Sequence, residues 1–138
     1  MATLNDLHKL ALSLPETSQA EGQIAYAVQN KGKAKGFAWG WMERIDPKKA
    51  RVLNPEVIAV RVRDLHEKEA VLAIYPEKFF TEPHYNNFPA ILVRLAAVEV
   101  DELQALLTTA WRCQAPPALV KRFDNETLEN REDPNTLT

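Results

Sequence analysis

A chain of 138 residues is long enough for one well-buried core and too short for two. Its 46% hydrophobic and 26% charged residues exclude a disordered or fibrous chain, and no apolar run approaches the roughly 20 residues of a bilayer-crossing helix. The formal charge of −2 is unevenly spread: Asp124, Glu126, Glu129, Glu132 and Asp133 stand against Arg131 alone, a net of −4. That leaves +2 on residues 1–123, short of the basic footprint of a dedicated nucleic-acid binder.

The start, Met1 to Asp6, lacks the basic and apolar blocks of a secretory signal. The one cysteine, Cys113, allows neither an internal disulfide nor a thiolate zinc site, so a reducing cytoplasm is the expected home.

Along the chain, Leu4, Leu7, Ala11 and Leu14 recur at helical steps behind a Thr3/Asp6 capping box, which predicts a first helix over Thr3 to Ser13, ended by Pro15. Glu16 to Gln23 reads as a polar connection. Ile24, Tyr26 and Val28 alternate as a strand. Asn30 to Gly36 reads as a turn, and Phe37, Trp39 and Trp41 alternate as a second strand, completing a hairpin.

Arg44 to Glu56, broken by Pro47 and Pro55, reads as a loop. Val57 to Arg63 forms a third strand, with Ile58, Val60 and Val62 on one face and Val57, Ala59, Arg61 and Arg63 on the other. Asp64 with Glu67 starts a helix over Leu65 to Tyr75, closed by Pro76. Phe79 to Thr81 and Ala90 to Leu95 are strands joined by an aromatic loop. Asp101 caps a third helix striped by Leu103, Leu106, Leu107, Ala110 and Trp111. After Pro116-Pro117, Ala118 to Phe123 forms a last short turn of helix, and Asp124 to Thr138 reads as a polar, acidic, disordered tail.

The expectation is therefore an α+β chain: a two-layer α/β sandwich with a mostly antiparallel five-stranded sheet in α-β(3)-α-β(2)-α order. It forms a single domain over 1–123 with the tail at 124–138.

The run Phe79-Phe80-Thr81-Glu82-Pro83-His84-Tyr85, then Pro89 to Leu95, Ala110-Trp111-Arg112 and Ala115-Pro116, resembles the MmcQ/YjbR-like family of small bacterial proteins. Leu14 to Thr17 and Phe37-Ala38-Trp39 fit its N-terminal half, so the resemblance spans about residues 4–123. It implies a secretion-chaperone-like two-layer fold and DNA binding. Near Tyr85, Asn86-Asn87 stand where the family usually has an acidic residue and a glycine. Both asparagines tolerate left-handed backbone, which keeps the turn available.

Two features point to an anionic partner. Arg61, Arg63 and Arg94 alternate away from the core face, where arginines hold phosphates and Trp39 or Trp41, if either shares that face, stacks bases. Lys33, Lys35, Lys48 and Lys49 sit in two loops flanking the second strand and suit sequence-blind phosphate contact. The leading expectation is DNA binding through these loops and arginines. A protein- or peptide-interaction module using the open sheet face, an edge strand or the aromatic loop is the alternative. A third expectation, a small-ligand or catalytic site, centres on Phe80, His84, Tyr85, Asn86 and Arg94. No phosphate loop, nucleophile elbow or metal-ligand histidine spacing occurs, so neither an enzyme, a cofactor nor a metal is expected.

Overall fold

The computed structural model describes residues 1–131. Helix α1 (Leu4–Leu12) is capped by Thr3, whose hydroxyl accepts from the Asp6 amide while the Asp6 carboxylate accepts from the Thr3 amide. The pair satisfies two orphan donors of the first turn. Strands β1 (Thr17–Gln19), β2 (Ala25–Asn30), β3 (Lys33–Glu43) and β4 (Val52–Arg61) follow, then α2 (Leu65–Ile74), β5 (Phe79–Phe80), β6 (Ala90–Arg94), α3 (Val100–Gln114) and α4 (Pro117–Arg131). The sheet is antiparallel throughout in the order β1-β2-β3-β4-β6-β5. No helix among the described residues is long and apolar enough to cross a membrane.

The five-stranded expectation is corrected to six strands and four helices. Strand β1 lies inside the expected connection Glu16 to Gln23, because its three residues, Thr17-Ser18-Gln19, are polar and largely exposed. It is held by backbone pairing to β2 alone, which leaves no apolar alternation to read. The β2–β3 turn is also tighter than the expected Asn30 to Gly36: only Lys31 and Gly32 turn, at φ 53° and 80°. This is the doubly left-handed conformation of a two-residue hairpin, which glycine adopts without strain.

Strand β4 begins at Val52, inside the expected 44–56 loop. Its pairing with β3 jumps from Gly40↔Ile58 to Trp41↔Asn54, and Pro55, which has no N–H to give a ladder, falls inside the jump.

Helix α3 starts earlier than the expected Asp101. The Glu102 carboxylate accepts from the Glu99 amide at 3.1 Å, and Glu99 is the cap. Helix α4 replaces the short turn and runs through the first part of the expected tail, so Asp124 to Arg131 is helical. Pro117 supplies the preset φ of a first helical residue, Leu119 is buried, and Phe123 lies 5.0 Å from the Trp111 ring. Arg112 pairs with Asp124 across the two helices. Residues 132–138 of the expected tail lie outside the described residues.

Helices α1 and α3 cover one face of the sheet. Leu7, Ala11, Leu103, Leu107, Ala110 and Trp111 pack there on Tyr26, Val28, Phe37, Ile58, Val60, Ile91 and Val93. The Trp111 indole N–H donates to the Pro15 carbonyl at 2.9 Å, so this large buried ring leaves no polar atom unpaired. The other face carries a smaller cluster of Trp41, Val57, Ala59 and Leu92, with Trp39, Phe80 and Tyr85 against it. Among the described residues no α-helix covers it; the 81–89 loop does.

Candidate functional site

The helix-free face is built by strand register. Ala25 pairs with Trp39, Trp39 with Ala59, Ala59 with Leu92 and Leu92 with Phe80, a row of side chains across five strands. Directly opposed residues share a face, and the alanines on either side of Trp39 leave room for its ring. Trp41 meets Phe80 edge to face at 5.5 Å above this floor.

Two arginines flank the row. Arg61 lies two residues beyond Ala59 on β4, and Arg94 two beyond Leu92 on β6, so both emerge on the helix-free face. Each guanidinium lies over a ring: Arg94 is 4.0 Å from the centre of Phe80 and Arg61 is 5.1 Å from that of Phe88. The attraction of a cation for the ring face fixes both charges to the sheet. Among the described residues, the buried side-chain donors without a partner in the chain are Trp41 Nε1 and Arg61 Nε, both on this face.

The loop 81–89 makes one wall. The Glu82 carboxylate accepts from the His84 amide at 3.2 Å and starts a 3-10 turn over Pro83–Tyr85. Trp39 Nε1 donates to the Tyr85 hydroxyl at 3.2 Å, and Phe88 stands at 69° to Trp39 and 71° to Tyr85. Between them lies a hollow of about 450 Å³ whose rim carries Met42, Arg51, Glu82 and His84. The loop is pinned from the far side of the chain by Lys68 of α2. Its side chain is buried, and its ammonium donates to the carbonyls of Tyr85 and, at 2.9 Å, Phe88. Burial pushes the Lys68 pKa below the usual lysine value, because desolvation penalises the charged form. A lysine inside an otherwise ordinary helical sequence gives no sign of this role; the only available hint is that α2 has few other residues to bury.

The structure brings together Arg61, Arg94, Phe80 and Tyr85, with His84 at the rim. It does not bring the lysines to them. Lys35 pairs with Val28 and Lys33 with Asn30; Val28 belongs to the helix-side core, so both lysines leave on the helix side. There the hairpin is tied to the end of α3. Asn30 donates to the Gln114 carbonyl at 2.9 Å and Gln114 to the Gly36 carbonyl at 2.9 Å. Cations suit a helix C-terminus, which gives Lys33 and Lys35 a local structural reason. Lys48 and Lys49 are exposed beyond the other end of the eleven-residue β3, about 33 Å away at strand rise.

Arg63 is a further correction. Strand β4 ends at Arg61, so Arg63 lies outside the sheet ladder; it sits at the entry to α2, 3.5 Å from Glu67 and 3.7 Å from Asp64, its charge engaged there rather than beside Arg61 and Arg94. Asn86 is exposed in right-handed backbone, and its side-chain oxygen accepts from Thr81 at 3.4 Å. Neither asparagine uses the left-handed region. Among the described residues, no three His, Cys, Asp or Glu side chains stand close enough to share a metal ion. Burial, the largest influence, pushes the Cys113 thiol up, away from the reactive thiolate.

A second hollow of about 390 Å³ lies between α2 and α3 on the helix side, floored by Val60, Phe79 and Ile91 and walled by Val71, Ile74 and Leu106. No local pattern along the chain points to it, because its lining comes from five separate elements.

No protein-family model matches the chain. Over 68 residues it is 47% identical to Uncharacterized protein Rv2570 of Mycobacterium tuberculosis and to Uncharacterized protein Mb2600 of Mycobacterium bovis. The match takes in 49% of this chain and 53% of each relative, so the chain spans about half the length of the curated relatives it matches. Among solved structures it is similar to Deinococcus radiodurans protein DR2400, a DUF419 domain, with a TM-score of 0.56 and 20% identity over 80% of this chain and 77% of that one. That likeness bears on the fold: mixed α+β with an open antiparallel sheet.

Proposed function

We propose that this chain is a cytoplasmic, MmcQ/YjbR-like binding protein that takes nucleic acid on the helix-free face of its sheet. The observation that carries the reading is the pair of arginines, Arg61 and Arg94, each held over an aromatic ring on that one face. Guanidinium groups fixed in this way keep donors free for phosphate, and the neighbouring rings offer stacking surfaces. Lys33 and Lys35 are left out of the contact surface, because they leave on the helix side.

The test is fluorescence anisotropy of labelled 20-residue oligonucleotides, single- and double-stranded, at roughly 50 and 200 mM salt, where phosphate contacts weaken steeply. Binding of either form that collapses at the higher salt, with a shallower salt dependence for Arg94→Ala, supports the reading. No binding of either form at the lower salt overturns it.

A second reading, docking of a protein partner, is favoured by Met42, Ile45, Val52 and Leu53, which are exposed on and around the outer end of the β3–β4 hairpin. Exposed apolar patches of this kind mark interaction sites. Strand addition at an edge is the weaker form of that reading, since the edge strands β1 and β5 are three and two residues long and offer little ladder to extend. A complex that survives high salt and is lost with Leu53→Lys would favour it over nucleic acid.

A further inference from the structure

We infer that the nucleic acid bound at this face is single-stranded, and that one unstacked base enters the hollow between Trp39, Tyr85 and Phe88. This rests on the nucleic-acid reading above and narrows it to one class of ligand and one place.

The argument begins with shape. The hollow is a shallow depression of about 450 Å³, open to solvent on one side, so it has room for a flat ring laid on its walls rather than for a ligand closed in on all sides. Its walls are rings set nearly perpendicular to one another: Phe88 stands at 69° to Trp39 and 71° to Tyr85. A planar ring laid flat on one wall meets a neighbouring wall edge to face, and both arrangements are favourable between aromatic systems. A paired base in a duplex offers only its edges, so these walls have nothing to hold unless the base is free of the stack.

Charge supports the same conclusion. Arg61 lies on Phe88, at the hollow, and Arg94 lies on Phe80, where its own plane is a second surface for a base. Arg51 at the rim donates to the Met42 carbonyl at 2.9 Å and has further N–H groups to spare. A duplex needs a broad basic track; Lys33 and Lys35 leave on the helix side, and the cations placed at the hollow itself are the arginines Arg61, Arg94 and Arg51. A flexible strand can pass from Arg94 to Arg61 and turn one base inward. Glu82 and His84, both on the rim, carry the acceptor and donor that would meet the edge of that base.

The experiment compares three labelled probes of equal length: a mixed-sequence single strand, the duplex of that sequence, and an abasic single strand that keeps every phosphate. The intact chain should bind the single strand about tenfold more tightly than the abasic strand or the duplex, the size of one base–aromatic stack. Phe88→Ala, an exposed position, should bring the single strand down to the abasic level. Tyr85→Phe, which keeps the ring and loses the hydroxyl bonded to Trp39, should retain most of the preference. Thermal unfolding of each variant checks that the fold is intact.

Equal binding of abasic strand or duplex would overturn the stacking inference and leave phosphate binding standing. So would a preference that persists in Phe88→Ala. No binding of any probe at low salt would remove both this inference and the reading beneath it.

Discussion

Phe37 and Trp39 are two residues apart on β3 and lie on opposite faces of the sheet. Strand alternation would put them together, but the register jumps from Ala27↔Gly36 to Tyr26↔Ala38, leaving Phe37 as the extra residue of a bulge. Phe37 and Ala38 both pack on the helix side, and Trp39 and Trp41 turn to the other. One inserted residue exchanges the faces of everything beyond it. Without it, the floor of the candidate site would lie under α3.

This arrangement predicts unequal costs for two truncations that the sequence makes look alike. Phe37→Ala removes a fully buried ring and should lower the unfolding free energy by about 3–5 kcal/mol. Trp39→Ala, at a half-buried position, should cost well under half of that. Urea unfolding of the two variants reads the difference, and equal losses would mean that the two rings share one core.

That bulge also marks the limit of what the sequence made legible. The capping box at Thr3 and Asp6, the α3 stripe and the two faces of β4 were readable because each is a local, periodic pattern. Ile58, Val60 and Val62 do lie in the helix-side core, opposite Val57 and Ala59. Strand β1 was not readable, since backbone pairing holds it and its side chains carry no signal. At the site, Arg61, Arg94, Phe80, Tyr85 and His84 could be named, and Trp39 as a stacking ring but not the face it takes; Phe88 as a wall and Lys68 as the anchor could not. Their meeting depends on tertiary register, which no spacing along the chain encodes.

Lys68 supplies a pH prediction. Its folded pKa is depressed by burial, so between that value and the ordinary lysine value the unfolded chain holds a proton that the folded chain has released. Stability then rises with pH through that window. The difference in Tm between the parent and Lys68→Met, which cannot titrate there, should therefore move in the parent's favour as pH is raised from 7 towards 10. At pH 7 the variant should be destabilised by about 1–2 kcal/mol: two loop carbonyls lose a donor, partly offset by removal of a buried charge. Amide exchange should quicken across residues 83–88, and an unchanged loop would show that Lys68 does not pin it.

Gly40 and Gly36 differ in what a methyl group would meet. A Cβ on Gly40 would lie 2.8 Å from Leu53 Cδ1 and 3.3 Å from Ile24 Cβ, whereas one on Gly36 would have only the Trp39 ring, at 3.9 Å. Leu53 is exposed and its Cδ1 can swing aside, so the contact with Ile24 Cβ sets the cost, and Gly40→Ala should lose about 1 kcal/mol, the low end for overpacking. Gly36→Ala should be neutral or stabilising by about 0.5 kcal/mol, because glycine weakens a strand interior. Thermal melts of the pair separate the two outcomes.

The lysine loops and the sheet arginines can be set against each other directly. Lys33 lies six residues from Trp39 on β3, about 20 Å at strand rise, and leaves on the opposite side of the sheet. A Debye length of about 8 Å at physiological salt screens it from a ligand in the hollow. Neutralising both lysines, as Lys33→Gln with Lys35→Gln, should therefore leave the salt dependence of oligonucleotide binding nearly unchanged. Arg94→Ala should lower its slope by about 1, the loss of one phosphate contact. The opposite pattern, with binding lost in the lysine variant and kept in the arginine one, would move the ligand to the β2–β3 hairpin at the end of α3.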